Sequence, residues 1–165
     1  MNTVRLHTPL TEESIKGLQK GDCVLLSGTI YTARDAAHKR MAESFLSTGV
    51  LPLCGKVIYY AGPCPKRPGE VIGSVGPTTS YRMDDYAELF CKNGCPYSIG
   101  KGKRDDRAIK AIRASHGVHF DAIGGAGAYY KSCVKSAKAV LYPDLGAEAV
   151  YELEVVDFPV VVHII

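Results

Sequence analysis

The sequence has no apolar run long enough to cross a membrane, and residues 1–20 lack the apolar stretch of a signal peptide. It has no clear excess of one charge: 20 Lys and Arg face 17 Asp and Glu, too mild a balance to indicate nucleic-acid binding by itself. Internal repeats and linker-like segments are also missing. Hydrophobic residues make up 46% of the 165 positions, which is typical of a globular protein. We therefore expect a single cytoplasmic domain over residues 1–165.

Cysteines are too few for a disulfide scaffold, and none belongs to a Cys-x-x-Cys pair; they are Cys23, Cys54, Cys64, Cys91, Cys95 and Cys133. The closest spacing, Cys91-x-x-x-Cys95, has no second pair of cysteines or histidines nearby to complete a zinc site. Free cysteines are more often small buried hydrophobic residues than ligands. We therefore expect no metal ligands in this chain, and any metal that the protein uses would be held elsewhere.

Short apolar runs that are typical of strands alternate with helical patterns. Strands are predicted at Cys23–Tyr31, Val57–Tyr60, Val71–Val75, Tyr97–Gly100, His119–Ile123, Ala137–Tyr142, Ala149–Val156 and in the apolar tail Phe158–Ile165. Helices are predicted at 35–46, Tyr81–Lys92 and 105–114, and a brief one follows the glycine-rich turn Gly124–Ala128. Because the last strands follow one another without a helix between them, the pattern predicts an α/β fold with a mixed sheet.

Four segments repeat one pattern, in which a strand ends, small residues turn, and a helix begins near a polar or basic group. They are Ser27–Arg40, Gly76–Arg82, Ile99–Arg104 and Gly124–Lys131. Glycine lets the backbone approach a ligand, helix starts favour anions, and ligands gather at the carboxyl ends of strands in open α/β sheets. Three of these turns carry a basic side chain that could grip a small anion with more than one carboxylate or phosphate; these are Arg34, Arg82 and Lys101.

Other interpretations of these residues remain open. Thr78, Thr79 and Ser80 could simply cap the following helix, the commonest use of hydroxyl residues at such a position. The basic stretch 101–113 reads mostly as the solvated face of a helix, and only Lys101, between two glycines, stands apart. Asp35 is expected to pair with a basic residue or to cap a helix rather than to act as a catalytic acid.

Among the histidines, only His38 is a candidate for the site. It follows Arg34 by one helical turn, so it could face the same pocket. The helical pattern places it on a different face from the apolar residues Ala37, Met41 and Phe45. A lone histidine is more often structural than catalytic, so this position keeps both interpretations.

Several strings of this sequence together resemble one family. GDCVLLSGTIYTARDAAHKR, VIYYAGP, SVGPTTSYRMD, IGKG and DAIGGAGA are similar to segments of the β subunit, or carboxy-terminal domain, of class I fumarate hydratase and L-tartrate dehydratase. The similarity runs from about Leu6 to about Val162, and the motifs occur in the same order. The resemblance implies a three-layer β/β/α swivelling domain, in agreement with the mixed α/β prediction.

The resemblance also implies a function. It is that of an iron–sulfur hydro-lyase of the tricarboxylic acid cycle, which reversibly hydrates fumarate to (S)-malate. The [4Fe–4S] cluster is expected on a partner α subunit, in an assembly of two α and two β subunits, and the iron without a cysteine ligand acts there as a Lewis acid. Carried onto this sequence, the motifs assign the catalytic base to Thr78, dicarboxylate binding to Arg34, Arg82 and Lys101, and a position near the site to His38.

Two other functions fit the same motifs. L-tartrate dehydratase shares them so heavily that the sequence discriminates poorly between the two substrates. A non-catalytic module that only binds dicarboxylates is the other possibility, although the four residues Thr78, Arg34, Arg82 and Lys101 are all retained.

Overall fold

The computed structural model describes residues 3–165 and has an α/β architecture. The strands are β1 (Thr3–His7), β2 (Cys23–Thr32), β3 (Val57–Tyr59), β4 (Tyr97–Gly100), β5 (Val118–Asp121), β6 (Val134–Leu141) and β7 (Val150–Ile164). The helices are α1 (Glu12–Ile15), α2 (Asp35–Thr48), α3 (Asp84–Lys92), α4 (Asp106–Ala114) and α5 (Gly127–Cys133), with 3₁₀ turns at Ser80–Met83 and Pro143–Glu148. None of the helices in the described part of the chain is long and apolar enough to span a bilayer.

The strands form one mixed sheet with the order β1-β2-β3-β4-β5-β7-β6, in which β2 also pairs with β7. Strands β1 to β5 pair with one another in parallel, whereas β7 is antiparallel to β2, β5 and β6. Because β7 pairs with both β5 and β2, the five strands β2, β3, β4, β5 and β7 close into a ring of pairings. The predicted α/β class and mixed sheet are confirmed, and the three-layer swivelling arrangement stays a prediction.

Alternate residues of the strands supply two separate apolar clusters, as the period of two in a strand requires. Ile30 and Tyr59 belong to the larger cluster, which is shared by the strands of the ring. Their chain neighbours Tyr31 and Ile58 belong to a second cluster that also contains Met41 of α2. The same strands therefore hold the first cluster on one face and bind the helical layer on the other.

The predicted and observed elements differ at several places. Val71–Val75 forms no strand; Gly73 instead packs on the loop before it, where an added Cβ would lie 2.0 Å from the carbonyl oxygen of Cys64. β1 was not predicted; it pairs in parallel with β2 over its whole length. The two predicted strands at the end of the chain are one strand, β7, with a positive φ of 51° at Asp157.

Candidate functional site

The four predicted turns meet at one end of the sheet, where the carboxyl ends of its parallel strands lie. Strands β2, β3, β4 and β5 are parallel neighbours, and their last residues are in register: Thr32 lies opposite Tyr59, and Gly100 opposite Asp121. The turn that carries Arg34 follows β2, and the turn that carries Lys101 follows β4. This is the carboxyl edge, where open α/β sheets bind their ligands.

Backbone hydrogen bonds hold the Thr78 segment against this edge. The amide of Thr78 donates to the carbonyl oxygen of Tyr60 at 2.6 Å, just beyond the end of β3. Thr79 forms a parallel bridge with Lys101, and the amide of Ser80 donates to the carbonyl oxygen of Lys101 at 2.8 Å. The main chain therefore places Thr78 and Lys101 on adjacent segments without help from their side chains.

The hydroxyl groups of this segment have different surroundings. Thr79 precedes the 3₁₀ turn Ser80–Met83, but its side chain makes no capping hydrogen bond, so the capping interpretation is wrong for this residue. Ser80 is buried, and its Oγ lies 3.2 Å from Nε2 of His119. The hydroxyl of Thr78 makes no hydrogen bond with any residue of 3–165, and the residue is partly exposed. The hydroxyls of Thr78 and Thr79 are thus both available to a ligand, and the choice of Thr78 as the base rests on the family resemblance.

A glycine beside Lys101 permits this close packing. A Cβ at Gly100 would lie 2.1 Å from Oγ of Ser80, so the loop could not approach β4 with any other residue there. Lys101 extends along Gly124, where an added Cβ would lie 3.6 Å from Nζ. Among the described residues the ammonium group of Lys101 forms no ion pair, which leaves its charge available to an anion.

Arg34 occupies the position just before α2 and also lacks an acidic partner within residues 3–165. Its side chain passes Gly62, where an added Cβ would lie 2.9 Å from Cδ of Arg34. Nε of its guanidinium is buried and has no hydrogen-bond partner. Because a buried donor without an acceptor is unfavourable by about 1–3 kcal/mol, the site favours an incoming acceptor such as a carboxylate.

Arg82 pairs with Asp35 rather than standing alone. Its Nε donates to Oδ2 of Asp35 at 3.0 Å, and Nη2 lies 3.0 Å from the same oxygen. This confirms the expectation that Asp35 pairs with a basic residue. The pair brings the turn that carries Arg82 to the start of α2, next to Arg34.

His38 lies beneath this surface. Its side chain is 2% exposed and packs against the rings of Tyr60, Tyr86 and Phe90. The predicted separate, polar face for this residue is therefore wrong. Burial lowers the pKa of His38 to about 4, so the ring is neutral at physiological pH. Its Nδ1 and its amide both contact the carbonyl oxygen of Arg34, at 2.8 and 2.9 Å, so His38 fixes the backbone of a site residue from below.

A buried polar network behind the site was not predicted. Nε of Arg104 donates to Oδ1 of Asp84 at 2.8 Å, and Nη1 donates to the hydroxyl of Tyr60 at 3.0 Å. Nη1 also lies 3.5 Å from Nδ1 of His119, whose other nitrogen faces Ser80. The IGKGKR string contains Arg104, but no pattern in it indicates that this arginine, unlike its basic neighbours, is buried.

The cysteines do not form a cluster-binding set. Cys91, Cys95 and Cys133 are buried, while Cys54 and Cys64 are exposed. Burial raises the pKa of the Cys95 thiol to about 12, which disfavours the thiolate that a metal needs. Within residues 3–165, three side chains of metal-ligating type come together only at His119, Asp121 and His163. The thiols of this part of the chain therefore do not fit a [4Fe–4S] cluster.

Cationic turns gathered at the carboxyl ends of the strands of an α/β sheet form a candidate site for a small anion. The particular family follows from comparison with known proteins. The chain matches the family described as Fumarase C-terminus over residues 1–165, and it belongs to that family.

Relatives of two kinds are similar to this chain. It is 40% identical to fumarate hydratase 2 of Leishmania major over 143 residues, 84% of this chain and 25% of the relative. It is 39% identical to the aerobic class I fumarate hydratase of Escherichia coli K12 over 138 residues, 81% of this chain and 25% of the relative. A Methanocaldococcus jannaschii protein, provisionally named L(+)-tartrate dehydratase subunit beta, is 41% identical over 156 residues, 90% of this chain and 80% of that protein. The chain thus spans only a quarter of these fumarate hydratases but most of the archaeal subunit.

Proposed function

We propose that this chain is the β subunit of an iron–sulfur hydro-lyase that reversibly hydrates fumarate to (S)-malate. It would supply the base and the dicarboxylate-binding groups, and a separate α subunit would hold the [4Fe–4S] cluster. One observation carries the proposal: Arg34 and Lys101 have no acidic partner within residues 3–165, and they lie at the same sheet edge as Thr78. Membership of the Fumarase C-terminus family supports the same conclusion.

In this proposal the cationic groups hold the two carboxylates of the substrate. Nε and Nη2 of Arg82 contact Asp35, so the side of the guanidinium that includes Nη1 would remain for a carboxylate of the substrate. A planar guanidinium can bind a carboxylate through two parallel hydrogen bonds, whereas the Lys101 ammonium acts as a point charge. Together these contacts would fix the substrate so that its reacting carbon faces one side chain.

Thr78 is the proposed base, which removes the proton from the carbon next to a carboxylate when malate is dehydrated. A threonine hydroxyl is a poor base in water, so this role needs a positive environment that lowers its pKa. Arg34, Arg82 and Lys101 would supply that environment. The hydroxyl of Thr78 has no hydrogen-bond partner among the described residues that would compete with a substrate.

Division of the site between two chains is the second part of the proposal. The thiols of residues 3–165 do not fit the cluster, and the archaeal relative of similar length is named as a subunit beta. Arg34, Thr78 and Lys101 are partly exposed and Arg82 is exposed, so a partner surface could close over them. An assembly of two α and two β subunits is the stoichiometry we propose.

Tartrate dehydration is the alternative, and the archaeal relative favours it specifically, because this chain covers 80% of that protein. The chemistry is closely related, since both reactions remove water from a hydroxylated dicarboxylate. A non-catalytic dicarboxylate-binding module is a further alternative with the same cationic turns.

The deciding experiment is to produce the chain with its cluster-bearing partner and to measure turnover of fumarate, (S)-malate and L-tartrate. We expect the pair to hydrate fumarate and the isolated chain to have no activity. Arg34→Ala, Arg82→Ala and Arg82→Lys should raise KM and lower kcat, since lysine cannot reproduce the guanidinium fork.

Arg40→Ala is the matched control, because Arg40 also lies on α2 but pairs with Asp144 on the surface. Kinetics equal to wild type in all three site variants would remove these arginines from the site. Preference for L-tartrate would establish the alternative substrate, and dicarboxylate binding without turnover by the assembled pair would establish the non-catalytic module.

A further inference from the structure

Two histidines and one carboxylate form a compact cluster on the paired strands β5 and β7, and none of them belongs to the proposed substrate site. Nδ1 of His163 lies 3.1 Å from Oδ1 of Asp121, and Nε2 of His119 lies 4.0 Å from the same oxygen. All three potential ligand atoms lie within 4.8 Å of one another. A tetrahedral zinc ion with bonds of about 2.0–2.1 Å separates its ligand atoms by about 3.4 Å, so only small side-chain shifts are needed.

The fold builds this cluster through an irregularity in the sheet. His119 and Asp121 are two residues apart on β5, so both project from the same face. On β7 the pairing jumps from Ile164 opposite His119 to Val162 opposite Phe120. His163 is therefore the extra residue of a β-bulge, a device that redirects a side chain.

His119 is well placed to act as a ligand through Nε2. It is fully buried, and its Nδ1 lies 2.7 Å from Oγ of Ser98. A hydrogen bond donated by Nδ1 to this oxygen leaves the lone pair of Nε2 for a metal. Metal-binding histidines usually donate the N–H of their other ring nitrogen in this way.

The other two ligands leave an entry path. Asp121 and His163 are partly exposed, with side chains 37% and 24% accessible. Asp121 and His163 form a hydrogen-bonded pair, and Nε2 of His119 lies 3.2 Å from Oγ of Ser80. Arg104, whose Nη1 lies 3.5 Å from Nδ1 of His119, places a positive charge beside the cluster that would oppose a bound cation.

We propose that His119, Asp121 and His163 bind one divalent transition-metal ion, with a fourth position open to solvent. Two imidazoles and one carboxylate suit Zn²⁺ and its neighbours in the first row, whereas Mg²⁺ and Ca²⁺ prefer sites made of oxygen. The bound ion would clamp β5 to β7 near the end of the chain. The proposal is independent of the hydro-lyase function and of the cluster on the partner.

The test is titration of the metal-free chain with Zn²⁺ by calorimetry, in a Cys54→Ser/Cys64→Ser background that removes the two exposed thiols. We expect one saturable site, no comparable binding of Mg²⁺, and a Zn²⁺-dependent rise in Tm. His163→Ala and Asp121→Asn should each weaken Zn²⁺ binding at least about tenfold. Each changes a direct ligand, and loss of a second-shell partner alone already lowers metal affinity by about 10–100-fold.

His116→Asn is the matched control, since His116 is exposed, lies outside the cluster, and has a positive φ of 54° that asparagine tolerates. This variant should bind Zn²⁺ like the parent. Absence of saturable binding by the parent, or equal affinity in the parent, His163→Ala and Asp121→Asn, would overturn the proposal. Far-UV circular dichroism without metal checks that each variant is folded, and either ligand variant suffices if the other fails that check.

Discussion

Arg82 and Asp35 are joined by two contacts of 3.0 Å, from Nε and Nη2 of the guanidinium to one carboxylate oxygen. The pair links the 3₁₀ turn after Thr79 to the start of α2. Both side chains are about two-fifths exposed, at 43% and 39%, so solvent screens their attraction. The contact therefore serves mainly to orient Arg82 beside Arg34.

Asp35→Asn tests this interpretation. We expect the free energy of unfolding to change by less than about 1 kcal/mol, because exposed ion pairs contribute little. Turnover by the assembled enzyme should fall several-fold, since a neutral amide holds the guanidinium less firmly. Urea denaturation and steady-state kinetics measure the two effects. Asp144→Asn, which disrupts the exposed pair with Arg40, should change neither. A loss of several kcal/mol in Asp35→Asn would show that the pair is structural.

Thr78 and Thr79 should respond differently to removal of their hydroxyl groups. Thr78→Ala is expected to reduce kcat severely, because the proposed base is lost while the substrate-binding groups remain. Thr79 makes no capping hydrogen bond, so Thr79→Ala should change stability by no more than about 0.5 kcal/mol rather than by the value of a lost cap. Solvent-deuterium exchange into carbon 3 of malate reports proton abstraction directly. Exchange that survives in Thr78→Ala and disappears in Thr79→Ala would reverse the assignment.

The sequence predicts the turns at the carboxyl ends of the strands better than it predicts the buried side chains behind them. The turns that carry Arg34 and Lys101 follow strands whose apolar runs are easily recognised, and parallel pairing alone brings such turns together. Asp35 was expected to pair with a basic residue or to cap a helix. That its partner is Arg82, 47 positions away, is seen only in the structure.

What could not be predicted depends on contacts between segments that are distant in the sequence. His119 and His163 meet through a bulge between β5 and β7, and sequence periodicity gives no sign of a bulge. His38 carries a polar side chain on a helix, so its pattern indicates a polar face, but Tyr86 and Phe90 of α3 cover it. Burial of Arg104 likewise depends on Asp84, a residue 20 positions earlier in the chain.

The Arg104–Asp84 pair is expected to be essential for stability. Its side chains are 1% and 7% exposed, and Oδ2 of Asp84 also accepts a hydrogen bond from the amide of Asp105. Asp84→Ala would leave the buried guanidinium charge with the Tyr60 hydroxyl but without its acidic partner, and loss of one member of a buried ion pair costs about 3–5 kcal/mol. Asp85→Ala is the matched control on the same helix, since Asp85 pairs with Arg107 on the surface and should matter by about 1 kcal/mol or less. Equal unfolding free energies in the two variants, by urea denaturation, would contradict this ranking.

Burial of His38 should make the protein less stable as the pH falls below neutrality. The pKa of this histidine is about 4 in the folded state because burial disfavours the charged ring, against about 6.5 in the unfolded chain. Between these values the unfolded chain binds a proton that the folded protein does not, so stability is greatest above pH 6.5 and declines towards pH 4, by at most about 3 kcal/mol. His38→Phe keeps a ring among Tyr60 and Phe90 but removes the titrating group. Urea denaturation between about pH 5 and 7, above the range in which most carboxylates titrate, should show a shallower dependence of stability on pH in this variant. The exposed-histidine variant His116→Asn should retain the wild-type slope. Identical slopes in His38→Phe and wild type would mean that His38 binds its proton equally well in the folded and unfolded chains.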